Sequence, residues 1–188
     1  MDRDKELVIN TLNGDMDSFS SLVLGYQERL YNFLLRLTSC REDAEEILQD
    51  VFIRVYKYLY KFDLDMSFST WVYRIAVNTF KDHYKRKKRQ CITCSYDGIA
   101  SIAESFNNRP EAVYERREHF IEIIKIINTL KEDQKIAIIL RYIQDFQYKE
   151  IAEILGISTE NAKMKVSRAR KTISESYRKQ HGGVLNEM

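Results

Sequence analysis

The chain has 188 residues, 44% of them hydrophobic and 31% charged, with a formal net charge of +2. That is enough apolar material for one large domain or two small cores, and it excludes a chain disordered throughout. One proline and six glycines leave few helix breakers, so an all-helical fold is expected. No apolar run approaches the ~20 residues of a membrane span, and the N-terminus MDRDKELV is too charged for a secretion signal, so a cytoplasmic protein is expected. Three cysteines, Cys40, Cys91 and Cys94, make no disulfide framework.

Helical spacing begins with Leu7, Val8 and Leu12. It continues through Phe19, Leu22, Val23, Tyr26, Leu30, Phe33, Leu34 and Leu37, with Ser18 as the expected N-cap of this second segment. A third helix is predicted from near Arg41 to about Tyr60, with the stripe Ala44, Ile47, Leu48, Val51, Val55 and Leu59. It has more apolar surface than one stripe requires. Phe52, Ile53 and Tyr56 spill outside it beside Glu46, Gln49 and Asp50, a mixed acidic and apolar second face of the kind that docks on a partner.

After the turn-like Phe62-Asp63-Leu64-Asp65, a fourth helix is predicted from about Ser69 into a basic run. Phe62, Phe68, Trp71 and Tyr73 lie close to Arg74, Asn78, Lys81, Lys85 and Arg86. Aromatics interleaved with cations suit unpaired bases, which stack on rings while phosphates meet the positive charges. The plainer reading places the tryptophan in the core. Trp71 and Asn78 stand seven residues apart, two helical turns, so both can face the Asp63–Phe68 loop.

From residue 90 to 112 the pattern dissolves into polar residues ending near Pro110, as in an interdomain linker. A single CxxC, Cys91 and Cys94, falls there without a second pair. It is read as incidental reduced thiols, with no metal site. Helical spacing resumes with Phe120, Ile123, Ile124 and Ile127, then Ile136, Ile139, Leu140 and Ile143. The tail from residue 181 looks frayed.

Residues 148–173 read YKEIAEILGISTENAKMKVSRARKTI. Ile151, Ala152 and Leu155 should face inward on a short helix, Gly156 suits a left-handed turn, and Ser158 or Thr159 caps the next helix. That second helix buries Ala162, Val166, Ala169 and Ile173. It offers Lys163, Met164, Ser167 and Arg168 outward, with Lys165, Arg170 and Lys171 at its flanks. This is the layout of a helix-turn-helix, whose second helix enters a DNA major groove. It leaves open a stand-alone DNA-binding regulator with another domain in front. No glycine-rich nucleotide loop, metal-ligand cluster or nucleophile–base pair is visible, so neither an enzyme nor a cofactor is expected.

The segments DAEEILQDVFIRVYKYL, FSTWVYRIAVNTFKDHYKRKKR and LKEDQKIAIILRYIQDFQYKEIAEILGIS resemble, in order and spacing, the regions of extracytoplasmic-function sigma factors, the group 4 branch of the sigma-70 family. The resemblance implies an all-α chain of two small helical domains, region 2 over residues 1–89 and region 4 over 113–180, joined by the flexible linker 90–112 and followed by the tail 181–188. It implies RNA polymerase core as partner, through the β′ clamp helices and the β flap, with Glu46, Gln49, Asp50, Ile53 and Tyr56 on the clamp. Promoter DNA is the second partner. Phe62, Asp63, Phe68, Trp71, Tyr73, Arg74, Asn78, Lys81, Lys85 and Arg86 would serve the −10 element. Lys163, Met164, Lys165, Ser167, Arg168, Arg170 and Lys171 would serve the −35 element. It also implies a cognate anti-sigma factor, in some members membrane-bound, and no small-molecule substrate. The chain departs from many members at Thr159-Glu160-Asn161, where a small pair such as Gly-Thr is common, and at Lys165, where arginine is common, so the −35 sequence itself stays open. Lysine lacks arginine's bidentate fork for guanine.

Overall fold

The computed structural model describes residues 3–90 and 113–181. The linker with Cys91 and Cys94, the end of the tail, and the side chains of Lys88, Arg89 and Phe120 lie outside the described residues. Among those described there are eight α-helices and no strand. Helices α1 (Arg3–Leu12), α2 (Met16–Thr38), α3 (Arg41–Tyr58) and α4 (Phe68–Gln90) form the first half, with a short 3-10 turn at Leu59–Lys61 after α3. Helices α5 (Val113–Asn128), α6 (Glu132–Tyr142), α7 (Tyr148–Leu155) and α8 (Thr159–His181) form the second.

The cap of α2 is Asp15, not Ser18. The Asp15 carboxylate accepts from the backbone N–H of Asp17 at 3.0 Å and of Ser18 at 3.3 Å. Ser18, one turn inside the helix, donates its hydroxyl to the same carboxylate at 2.7 Å. Gly14, at φ +99°, makes the turn from α1 that brings Asp15 to the helix start. A carboxylate also answers the positive end of the helix dipole, which a hydroxyl does not.

In the first half, α2 packs on α1 and α3, and α3 on α4. Leu30, Phe33 and Leu34 of α2 face Ala44, Ile47, Val51 and Val55 of α3 in one continuous core, all fully or almost fully buried. Each large side chain so buried contributes ~1.5–3 kcal/mol of transfer free energy. In the second half, α5, α6 and α7 all pack on α8. Helix α7 ends at Gly156, which takes the left-handed conformation at φ 64°, ψ 41° and allows the sharp entry into α8.

The two halves share a core. Helix α4 packs on α7, and α2 on α6. This explains why α6 buries Ile136, Ala137, Ile138, Ile139 and Leu140 in succession, since a helix covered on two sides needs more than one stripe. It also explains Ile154, buried although it lies outside the inward set expected for α7.

Candidate functional site

The first candidate surface lies on α3. Its stripe Ala44, Ile47, Val51 and Val55 is consumed by the core. The other face leaves Glu46, Gln49, Ile53 and Tyr56 exposed and Asp50 half-buried, with Ile53 63% accessible. An isoleucine so placed gains nothing within its own domain. The Tyr56 ring meets Phe19 of α2 edge-on at 5.0 Å, and its hydroxyl approaches the Met16 sulfur at 3.8 Å. The surface therefore runs onto the start of α2. Sequence periodicity missed this, because it counted Phe19 as core and gave Met16 no role.

Ion pairs of both polarities also join this helix to α4. Lys87 bonds Asp43 at 2.7 Å, Arg54 bonds Asp82 at 2.9 Å, and Arg86 lies 3.8 Å from Asp50. His83 is buried between Asp43 and Glu46, at 3.7 and 3.8 Å, without a hydrogen bond.

The second surface is the loop before α4 and the helix itself. Asp63, in the loop, is exposed and accepts from the Asp65 N–H at 2.9 Å. Phe62, Phe68, Trp71 and Tyr73, offered as walls for an unpaired base, are all buried. Trp71 packs against Phe62 at 5.3 Å and Phe68 at 5.7 Å, and Phe68 meets Tyr26 at 5.3 Å. Tyr73 turns toward the second half, donating to Gln144 at 2.5 Å and meeting Phe146 edge-on at 4.9 Å. Burial pushes its hydroxyl up to about 12. Asn78 is exposed two turns beyond Trp71, Arg74 is half-buried, and Lys85 and Arg86 are exposed. Of the two accounts the sequence left open, the geometry is the one with Trp71 in the core and Asn78 at the surface.

The third surface is α8. Ser158 caps it, its hydroxyl accepting from the Asn161 N–H at 3.2 Å. Ala162, Val166 and Ala169 are buried under it, while Lys163, Met164, Ser167, Arg168 and Lys171 are exposed. Lys171 sits 3.8 Å from Glu175. Small alanines at two of three buried positions let α8 lie close to its neighbours. Arg170, exposed, also forms part of the wall of an apolar groove of about 390 Å³ between α5, α6 and α8, with Ile123, Ile127, Ile138, Tyr142 and Ile173.

One carboxylate ties the surfaces together. Asp133, in the first turn of α6, accepts from Lys165 of α8 and from Lys81 of α4, each at 2.9 Å. The Lys165 bond, then the Lys81 bond, hold the Asp133 carboxyl below the usual carboxylate range. Two further bonds cross the seam: Lys135 to the Leu37 carbonyl at 2.7 Å and Asn128 to the Ser39 hydroxyl at 3.0 Å. Among the described residues no cluster of three or more His, Cys, Asp or Glu side chains could hold a metal ion, and no helix is long and apolar enough to cross a membrane.

Comparison with known proteins accounts for both halves. Residues 22–90 match the Sigma-70 region 2 family and residues 120–173 match Sigma-70, region 4. The match in the first half answers the alternative of a stand-alone helix-turn-helix regulator. The chain is 32% identical to the ECF RNA polymerase sigma-E factor of Escherichia coli, over 90% of this chain and 92% of that one. It is 30% identical to the RNA polymerase sigma-H factor of Pseudomonas aeruginosa, over 93% and 94%. The fold is similar to that of the sigma factor RpoE of Bartonella quintana, solved with the anti-sigma factor NepR, at a TM-score of 0.65 and 22% identity over 84% of this chain and 94% of that one.

Proposed function

The chain belongs to the extracytoplasmic-function branch of the sigma-70 family, whose task is promoter-specific initiation of transcription, and on that premise we propose how its surfaces divide the work. The face of α3, with Glu46, Gln49, Asp50, Ile53 and Tyr56 and its extension onto Met16 and Phe19, docks on the β′ clamp helices of the polymerase core. The apolar groove beside Arg170 receives an apolar segment of the β flap. The Asp63–Phe68 loop and α4 meet the −10 element, with Asn78 at the extruded base, Arg74 beside it, and Lys81, Lys85 and Arg86 on the backbone. Helix α8 enters the major groove at the −35 element, with Lys163, Met164, Ser167 and Arg168 toward base edges and Lys165 and Lys171 on phosphates. The protein makes no bond itself; the polymerase does the chemistry. A cognate anti-sigma factor, which a membrane anchor can hold near the bilayer, covers the polymerase-facing surfaces and keeps the protein from the nucleoid.

The observation that carries this reading is the exposed acidic and apolar face of α3 on the same chain as a DNA-reading helix. A DNA-binding regulator needs the helix but has no use for that face. The test is co-purification with core polymerase. Changing Gln49→Ala together with Ile53→Glu should cost at least tenfold in affinity for core while leaving the helical circular dichroism and the thermal midpoint unchanged. Wild-type affinity in the double variant would remove the docking face from the account.

A further inference from the structure

The aromatic rings expected to stack on promoter bases are core, which leaves the stacking function without rings. The chain immediately upstream supplies them. Where α3 gives way to the 3-10 turn, the residues Lys57-Tyr58-Leu59-Tyr60-Lys61 are exposed on both sides of one buried leucine. Leu59 is buried as an anchor, whereas Tyr58 is 37% and Tyr60 67% accessible. Lys61 places its ammonium 5.5 Å from the centre of the Tyr58 ring and 5.5 Å from that of Tyr60. Lys57 does the same over Tyr58 at 5.5 Å. The turn runs straight into the Asp63–Phe68 loop, where Leu64 is also exposed.

The cations are as informative as the rings. Lys81, Lys87, Arg54, Arg86 and Lys165 all have a carboxylate within 4 Å. Among the described ion pairs, neither Lys57 nor Lys61 has one. Two uncommitted ammonium groups resting on open π-faces match the needs of an unpaired nucleotide, whose base takes the ring and whose phosphate takes the charge. A protein partner fits less well, because interface cores are depleted in lysine.

We propose that Tyr58 and Tyr60, with Lys57 and Lys61, form a second contact for single-stranded DNA: a stacking platform for unpaired nucleotides of the non-template strand next to the Asp63–Phe68 loop. This rests on the promoter-opening reading above and extends it to residues that reading does not use. The platform takes bases by their faces and is therefore tolerant of sequence. It contributes to holding the melted strand, and its recognition is separate from that at Asn78.

The experiment uses holoenzyme assembled on wild-type core and a labelled single-stranded oligonucleotide carrying the −10 non-template sequence. Tyr58→Ala with Tyr60→Ala should weaken binding by ~10–100-fold, as the loss of one or two base stacks does, while Tyr58→Phe with Tyr60→Phe stays near wild type. Lys57→Ala with Lys61→Ala should lower the salt slope of binding by about 1.4, the release of two counterions from a single strand. Both tyrosines are exposed, so the thermal midpoint should hold. Wild-type binding by the alanine pair, or equal loss in the phenylalanine pair, overturns the proposal. A loss of affinity for core instead of for the oligonucleotide overturns it as well, since the patch would then face protein. Failure of the wild-type holoenzyme to prefer the −10 strand over a scrambled one is a different result, which strikes the promoter-opening reading itself.

Discussion

Lys135 carries a charge into the seam between the two halves, where it donates a hydrogen bond to the Leu37 carbonyl. Burial lowers its pKa to about 8 from an ordinary value of 10.5. The folded state therefore gives up this proton before the unfolded state does. Its charge is a cost that is complete below about pH 8 and is relieved as the pH rises toward 10.5, by up to about 3 kcal/mol. Lys135→Met should raise stability near neutral pH and lack this rise, so that its advantage over the wild type shrinks toward about pH 9.5. Urea unfolding of both at about pH 7 and about pH 9.5 measures it; a parallel pH dependence in the two would show that the lysine is not buried as a cation. On α8 the same scale separates base reading from phosphate holding. Arg168→Ala should lose ~1–3 kcal/mol of discrimination at one −35 position, measured on single-base promoter variants. Lys171→Ala should weaken all sequences evenly and lower the salt slope by about 1. A uniform loss for both would take Arg168 off the base edges.

At the scale of elements, the helix-turn-helix was the most legible part of the chain. Its signals are local: a glycine at the left-handed position, a hydroxyl cap and two alanines in the following helix. Gly156 is found at φ +64° with open space where a Cβ would stand, so Gly156→Ala should cost about 1 kcal/mol by backbone conformation alone. Thermal unfolding checks this, and no loss at all would mean that the turn relaxes to another conformation. What failed to show in the sequence depended on partners distant along the chain. Ser18 and Asp15 are both good caps, and only the path of the chain after Gly14 selects the carboxylate. Ile154 and the unbroken apolar run of α6 are buried because the first half lies against them, which periodicity within one helix cannot reveal. The aromatics before and within α4 misled for the same reason. A ring near cations in sequence is as consistent with a core as with a base platform, and the decision belongs to Tyr26, Phe33 and Phe146, far away along the chain.

At the scale of the whole molecule, the two halves are closed on each other, and the closure uses the groups that would hold DNA. Asp133 engages Lys81 of α4 and Lys165 of α8 at once, two lysines that the proposed division of work gives to the DNA backbone. One face of α4 is meanwhile covered by α7. In the proposed division of work Lys81 and Lys165 each exchange Asp133 for a phosphate when DNA binds. Asp133→Asn should loosen the clasp and strengthen binding of the free protein to −35 duplex several-fold, with a smaller effect once core is bound. Unchanged affinity in the free protein would mean that Asp133 does not hold the two lysines from DNA. The most direct measurement of the central claim is initiation itself. Core polymerase stripped of other sigma factors, mixed with this protein and fragmented double-stranded genomic DNA, should yield transcripts with discrete 5′ ends preceded by a shared pair of −35 and −10 elements. The Gln49→Ala, Ile53→Glu double variant should abolish them. Transcripts no different from those of core alone, or specific DNA binding that never leads to initiation, would contradict it.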